Sequence, residues 1–228
     1  MNDNTLTIQG LNAFLSKVFM WMFFGLMLTA LTSLTVASSP LLLSLIFSNR
    51  LIFFGLLIGE FALVIVLSKN ALKYSYGKTV GLFLFYSFLN GLTLSSILLL
   101  YTGQSIATAF MIASVVFGVM ALYGYVTKTD LTPFRSFLMV GVIGIIVLTV
   151  INIFLGNGIL FYLINLAGVV IFAGLTAYDL QKMKSLYAYS VNNTQVASGN
   201  IAVTGALTLY LDFINLFLFI LRLSGKQR

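Results

Sequence analysis

The chain reads as an all-α polytopic membrane protein with seven transmembrane helices, and three observations point there. Residues are 60% hydrophobic and only 7% charged, with a mean hydropathy of +1.08, a stock from which a soluble domain of 228 residues could not cover its surface. Apolar runs of about 17 to 25 residues recur down the whole chain, each long enough to cross a hydrocarbon core of roughly 30 Å. Turn-forming or charged residues interrupt those runs at intervals.

The first span covers 17–37 and ends at Ser38-Ser39-Pro40. Its small residues Thr35-Val36-Ala37-Ser38 imitate a secretory cleavage site, but the apolar run is too long for a signal and only Lys17 lies near it, so an uncleaved helix is expected. The second span, 50–68, closes on the Lys69 to Lys78 connection; the third, 79–101, on Thr102-Gly103-Gln104; the fourth, 105–126, on Lys128 to Pro133. The fifth, 134–155, stops at Gly156-Asn157-Gly158, and 159–181 and 201–222 form the sixth and seventh. With no linker, repeat or composition shift, residues 1–228 are expected to form a single transmembrane domain.

The chain has no Cys and no His. Disulfides, thiol nucleophiles, thiolate metal sites and the commonest proton shuttle are therefore excluded, and proton or metal chemistry must use carboxylates and other oxygens. Orientation follows from where the bases stand. Lys17, Lys69, Lys73, Lys78, Lys128, Arg135, Lys182 and Lys184 share one side, against Arg50 and the tail bases Arg222, Lys226 and Arg228 on the other. The N-terminus is expected to be cytoplasmic. The tail bases then fall outside, against the rule, so the last segment either enters and returns or, the favoured reading, crosses fully with its roughly 20 residues.

Three of the five acids, Glu60, Asp179 and Asp212, fall inside apolar spans. An ionisable group in hydrocarbon is costly and faces a protein interior or a watery cavity, so each marks a candidate functional site. Counting at about 1.5 Å per residue, Glu60 lies roughly 13 Å and Asp212 roughly 16 Å from the cytoplasmic side, with Asp179 one to two turns below it. Asn165, Gly168, Phe172, Leu175 and Asp179 form one helical stripe; Ala202, Gly205, Leu209 and Asp212 form another. Small residues on both suit close helix packing, which would point each Asp at a neighbouring helix. Two carboxyls brought together where water is scarce cannot easily both ionise and titrate as a unit, a proton-sensitive device. The plainer alternative is that each Asp only hydrogen-bonds a neighbouring helix. Asn90, Ser87, Thr93, Ser95 and Ser96 in span three read as interhelical hydrogen bonders, and Gly55 and Gly59 as packing residues. Asn192-Asn193-Thr194 matches a glycosylation sequon but falls in an expected cytoplasmic connection.

Gly174-Leu175-Thr176-Ala177-Tyr178-Asp179-Leu180-Gln181, followed by Gly205-Ala206-Leu207-Thr208-Leu209-Tyr210-Leu211-Asp212-Phe213-Ile214-Asn215-Leu216-Phe217, resembles the paired late-helix signature of the Bax inhibitor-1, or transmembrane Bax inhibitor motif, family. Length, seven-span layout and basic connections extend the resemblance over nearly the whole chain. It implies a last helix surrounded by the other six and a pH-sensitive calcium leak, in which Asp179 and Asp212 bind the cation and sense protons. It also implies an auxiliary acid at Glu60. The basic latch that some members carry near the end of the second helix falls here to Lys69 or Lys73, since no Arg stands in that stretch.

Calcium as the transported or bound ion suits this oxygen-only inventory, because it takes about six to eight oxygen ligands. No cofactor, enzyme activity or nucleic-acid partner is expected; membrane lipid, calcium and protons are. A bacterial plasma membrane is the expected location. Two alternatives belong to other classes: a membrane scaffold or regulator working through protein partners, and an intramembrane aspartyl protease, whose typical Gly-x-Gly-Asp run is replaced here by Tyr210-Leu211-Asp212.

Overall fold

The computed structural model describes residues 3–70, 73–192 and 198–228. Among these there are eight helices: α1 (Asp3–Ala37), α2 (Pro40–Phe47), α3 (Arg50–Asn70), α4 (Tyr76–Leu100), α5 (Gly103–Val126), α6 (Phe134–Leu155), α7 (Gly158–Asn192) and α8 (Ser198–Ser224). All but α2 are long and apolar enough to cross a membrane, so the chain is an all-α polytopic membrane protein with seven spans. Asn193 and Thr194 of the sequon lie outside the described residues.

Local chemistry explains the helix boundaries. Ser39 Oγ accepts from the Leu42 N–H at 3.4 Å and Pro40 opens α2, a pairing of cap and first-turn proline suited to a helix start. Thr102 caps α5 by accepting from the Ser105 N–H at 3.2 Å. Gly156 closes α6 in the left-handed region, at φ 61°, which a side chain would resist. Asn157 then accepts from the Leu160 N–H at 2.9 Å, starting α7 at once. Two helices outrun the hydropathy reading: α1 begins well before residue 17 and α7 runs past 181. Hydropathy registers only the apolar stretch, whereas backbone hydrogen bonding carries a helix on through polar residues beyond it.

The chain divides into two compact units, Met1–Leu100 with Ser185–Tyr210 and Arg228, and Tyr101–Lys184 with Leu211–Gln227. In the first, α1 packs along α4 and α3 also lies against α4. The approach of α1 to α4 is close at Gly91, where a Cβ would stand 2.6 Å from Thr32 Cβ and 2.8 Å from the Thr29 carbonyl oxygen. Ser33 donates to the Gly91 carbonyl at 2.8 Å, so a small residue and a hydroxyl hold the two backbones together. In the second unit, α5 meets α7 where Gly124 lies against the Ala177 backbone. Phe213 of α8 packs edge-on against Phe110 and Phe117, with centroids 5.3 and 5.5 Å away, and Phe219 stacks on Phe172 at 5.7 Å.

The last helix is the most sheltered: 72% of its span is buried, against 11–39% for the other six. None of its large apolar side chains is exposed among the described residues, whereas the other six spans all show such side chains. That matches the expectation of a final helix shielded from lipid.

Candidate functional site

Asp179 and Asp212 meet in the second unit. The first projects from α7 and the second from α8, and their side chains lie close enough to act on each other. Both are buried, at 8% and 4% exposure. Two carboxyl groups this close, where water is scarce, cannot easily both be ionised. Asp212 Oδ2 is buried and has no hydrogen-bond partner among the described residues. A buried carboxyl oxygen left this way is an open acceptor for a proton donor or a cation.

The local sequence accounts for the placement. Both predicted stripes are buried throughout, Asn165, Gly168, Phe172, Leu175 and Asp179 on α7, and Ala202, Gly205, Leu209 and Asp212 on α8. On α7 the stripe is informative, because Leu163, Leu166 and Val170 outside it are exposed. On α8 burial runs nearly all round, so spacing alone could not select a face there.

Two cations act electrostatically on Asp179: Lys182, one turn along α7, and Arg135 in the first turn of α6. Gln181 fixes the connection that carries Arg135. Its Nε2 donates to the Thr129 carbonyl at 2.8 Å, and its Oε1 accepts from the Leu131 N–H at 2.8 Å. Lys184 reinforces the join by donating to the Tyr125 carbonyl at 2.6 Å. In the sequence Lys182 and Arg135 registered only as orientation signals; the spacing from Asp179 to Lys182 is a usable clue, whereas nothing local links Arg135 to an acid 44 positions away. In the same exposed connection, the Thr132 hydroxyl and its N–H, at 2.9 Å, hold the Asp130 carboxylate below its ordinary pKa. Asp130 thus remains ionised throughout the neutral range.

Glu60 belongs to the first unit, where α3 buries it at 9% exposure beside α4. Thr93 donates to its Oε1 at 2.9 Å and Asn90 to its Oε2 at 3.3 Å. The network continues inward. The Tyr210 hydroxyl donates to Asn90 Oδ1 at 3.2 Å and lies 2.7 Å from Thr29 Oγ1, which in turn reaches the Gly25 and Ser87 carbonyls at 3.0 and 2.8 Å. Tyr210 is fully buried, with Phe83 and Tyr86 edge-on around its ring at 5.9 Å each. The expected interhelical role of Asn90 and Thr93 is what the structure shows. Thr29, Tyr86 and Tyr210 gave no such signal, because their partners are brought together only by packing.

Lys69, in the last turn of α3, and Lys73 are both exposed. No group of three or more His, Cys, Asp or Glu side chains that could hold a metal ion gathers among the described residues. A cation at the Asp pair would draw its remaining ligands from carbonyls and water.

The family model described as inhibitor of apoptosis-promoting Bax1 matches residues 11–228. The inner membrane protein YbhL of Escherichia coli K12 is 44% identical over 219 residues, covering 96% of this chain and 94% of that protein. A Borreliella burgdorferi protein is 42% identical over 217 residues, covering 95% and 93%, and a Streptococcus pyogenes serotype M1 membrane protein is 38% identical over the full length of both chains. The chain, seven apolar helices with two paired late-helix aspartates, belongs to the Bax inhibitor-1 family.

Proposed function

We propose that this protein is a pH-sensitive calcium leak of the bacterial inner membrane, gated by protonation of the Asp179–Asp212 pair. The observation that carries the reading is the pair itself: two buried carboxyls brought within reach of each other from α7 and α8, with Asp212 Oδ2 unpartnered among the described residues. Calcium is the cargo. Two carboxylates with carbonyls and water form a weak site for a hard cation, and weakness suits a pathway that must release what it binds.

The protein's own groups divide the work. Asp179 and Asp212 exchange one proton for cation binding, since a proton and calcium compete for the same oxygens. Lys182 and Arg135 supply positive charge at Asp179, so that neutralising the pair alters its attraction to them. Glu60 acts as an auxiliary gating acid in the first unit. Lys69 and Lys73 serve as basic latch groups, with a point charge where other members use another base. The gathering of bases on one side of the spans supports a cytoplasmic N-terminus.

The test is calcium flux into liposomes carrying the full chain, from pH 5 to 8, for wild type and for Asp179→Asn with Asp212→Asn. The expected result is a pH-dependent flux in wild type that is flattened in the double variant. Flux equal to that of empty liposomes at every pH would remove the leak reading and leave the scaffold and protease classes, which partner capture and substrate cleavage would then separate.

A further inference from the structure

A second polar feature of the second unit is unrelated to the carboxyl pair. A cavity of about 270 Å³ opens where α6 ends, α7 begins and α8 ends, and Arg222, Asn152, Asn165 and Thr149 line it together with Ile153 and Phe161. Its polar side chains are short of acceptors. The Arg222 guanidinium rests over the Phe219 ring at 5.7 Å, which occupies one face and leaves its N–H edges free. Among the described residues the group that acts on it is the Tyr101 phenol, and no carboxylate there balances this charge. Asn152 Oδ1 accepts from the Asn157 N–H at 3.0 Å, while its amide donors meet no protein acceptor among the described residues. Asn165, 1% exposed, uses its amide on the Phe161 carbonyl at 2.7 Å.

Depth and flank say what sort of anion fits. Arg222 stands two residues before the end of α8, Asn152 three before the end of α6, and Asn165 seven into α7. At about 1.5 Å per residue the cavity reaches from the helix ends to roughly 10 Å below them, the depth at which headgroups give way to acyl chains. Ile153 and Phe161, which border it, are 74% and 45% exposed on the outside of the spans, an apolar rim along which a chain can lie. An arginine within a membrane segment and without an acid is costly unless something supplies negative charge. At that depth the membrane supplies phosphate.

We infer that this cavity is a binding site for an anionic phospholipid, with the phosphate on the Arg222 fork and the free Asn152 amide, and an acyl chain along Ile153 and Phe161. A planar guanidinium grips phosphate through two parallel hydrogen bonds, and the Asn152 amide adds a third.

The test is native mass spectrometry of the full chain released from micelles containing phosphatidylglycerol and phosphatidylcholine with identical acyl chains. The expected result is retention of phosphatidylglycerol over phosphatidylcholine by about tenfold, on the strength of charge-assisted hydrogen bonds. Arg222→Gln should abolish that preference. Asn152→Asp keeps the acceptor for the Asn157 N–H but replaces the free donor with a negative charge, so it should lose the preference as well, and it serves if Arg222→Gln does not fold. Equal retention of the two lipids by wild type, or wild-type preference in a folded variant of either kind, would overturn the site. Inorganic phosphate alone, added to delipidated protein, should not be retained; its retention at comparable strength would overturn the lipid as the source of the anion.

Discussion

Asn90 carries more of the first unit's polar order than its neighbours. It reaches Glu60, Tyr86 and Tyr210 at 3.3, 3.5 and 3.2 Å, whereas Thr93 offers Glu60 a single bond at 2.9 Å. Hydrogen bonds between membrane helices contribute about 0.6 kcal/mol on average and up to about 1.7 kcal/mol. Thr93→Val should therefore cost about 0.5–1.5 kcal/mol and Asn90→Leu about 1–3 kcal/mol, since the larger change also removes the bonds to Tyr86 and Tyr210. Thermal unfolding of the purified variants in one detergent checks the order; a Thr93 variant less stable than the Asn90 variant would contradict it. The residue scale is also where the sequence was least informative. Glu60, Asp179 and Asp212 stood out because charge is so scarce, and Asn90 and Thr93 because polar residues cluster in span three. Thr29 and Tyr210, 181 positions apart, are ordinary residues until packing brings them together.

Among the elements, the contrast between two kinds of glycine is the most testable. At Gly91 an added side chain would run into Thr32 and the Thr29 carbonyl of α1, while at Gly55, on α3, a Cβ would meet nothing within 4 Å. Gly91→Val should force α1 from α4 and destabilise by about 1–3 kcal/mol, as overpacking does. Gly55→Ala should be neutral or stabilise by up to about 1 kcal/mol through helix propensity. The same unfolding assay reads both, and a Gly91 variant as stable as wild type would mean that α1 and α4 can part without cost. Six of the seven spans were legible to within three residues at their starts, because charge and turn chemistry punctuate the apolar runs. α2 was not. Its eight residues, with Arg50 close behind, are too few to register as a span, and its start depends on a Ser39-Pro40 cap that reads equally well as a turn.

Taken as a whole, the molecule puts very few carboxylates where protons could regulate it at neutral pH. Asp130 is not one of them. Its pKa is lowered by Thr132, so the hold of Thr132 on the ionised carboxylate is fully present above the ordinary carboxylate range and is lost only as pH falls through that depressed value. Asp130→Asn should leave the flux profile between pH 5 and 8 unchanged, whereas the Asp179 and Asp212 double variant should flatten it. A shifted profile in the Asp130 variant would transfer the sensor to the exposed connection. Which distant segments gather into each of the two compact units depends on tertiary packing, and composition carries no record of that.

The shelter of α8 also bears on how the protein is made. Asp179 and Asp212 are 33 residues apart in the chain. At synthesis rates of about 5–20 residues per second, Asp179 is in the chain some 2–7 s before the ribosome has added Asp212. During that interval the newborn protein holds one half of its acid pair, and the helix destined for the most buried position has yet to arrive. Until α8 arrives, Phe110, Phe117 and Phe172 stand without the Phe213 and Phe219 rings that cover them in the finished structure.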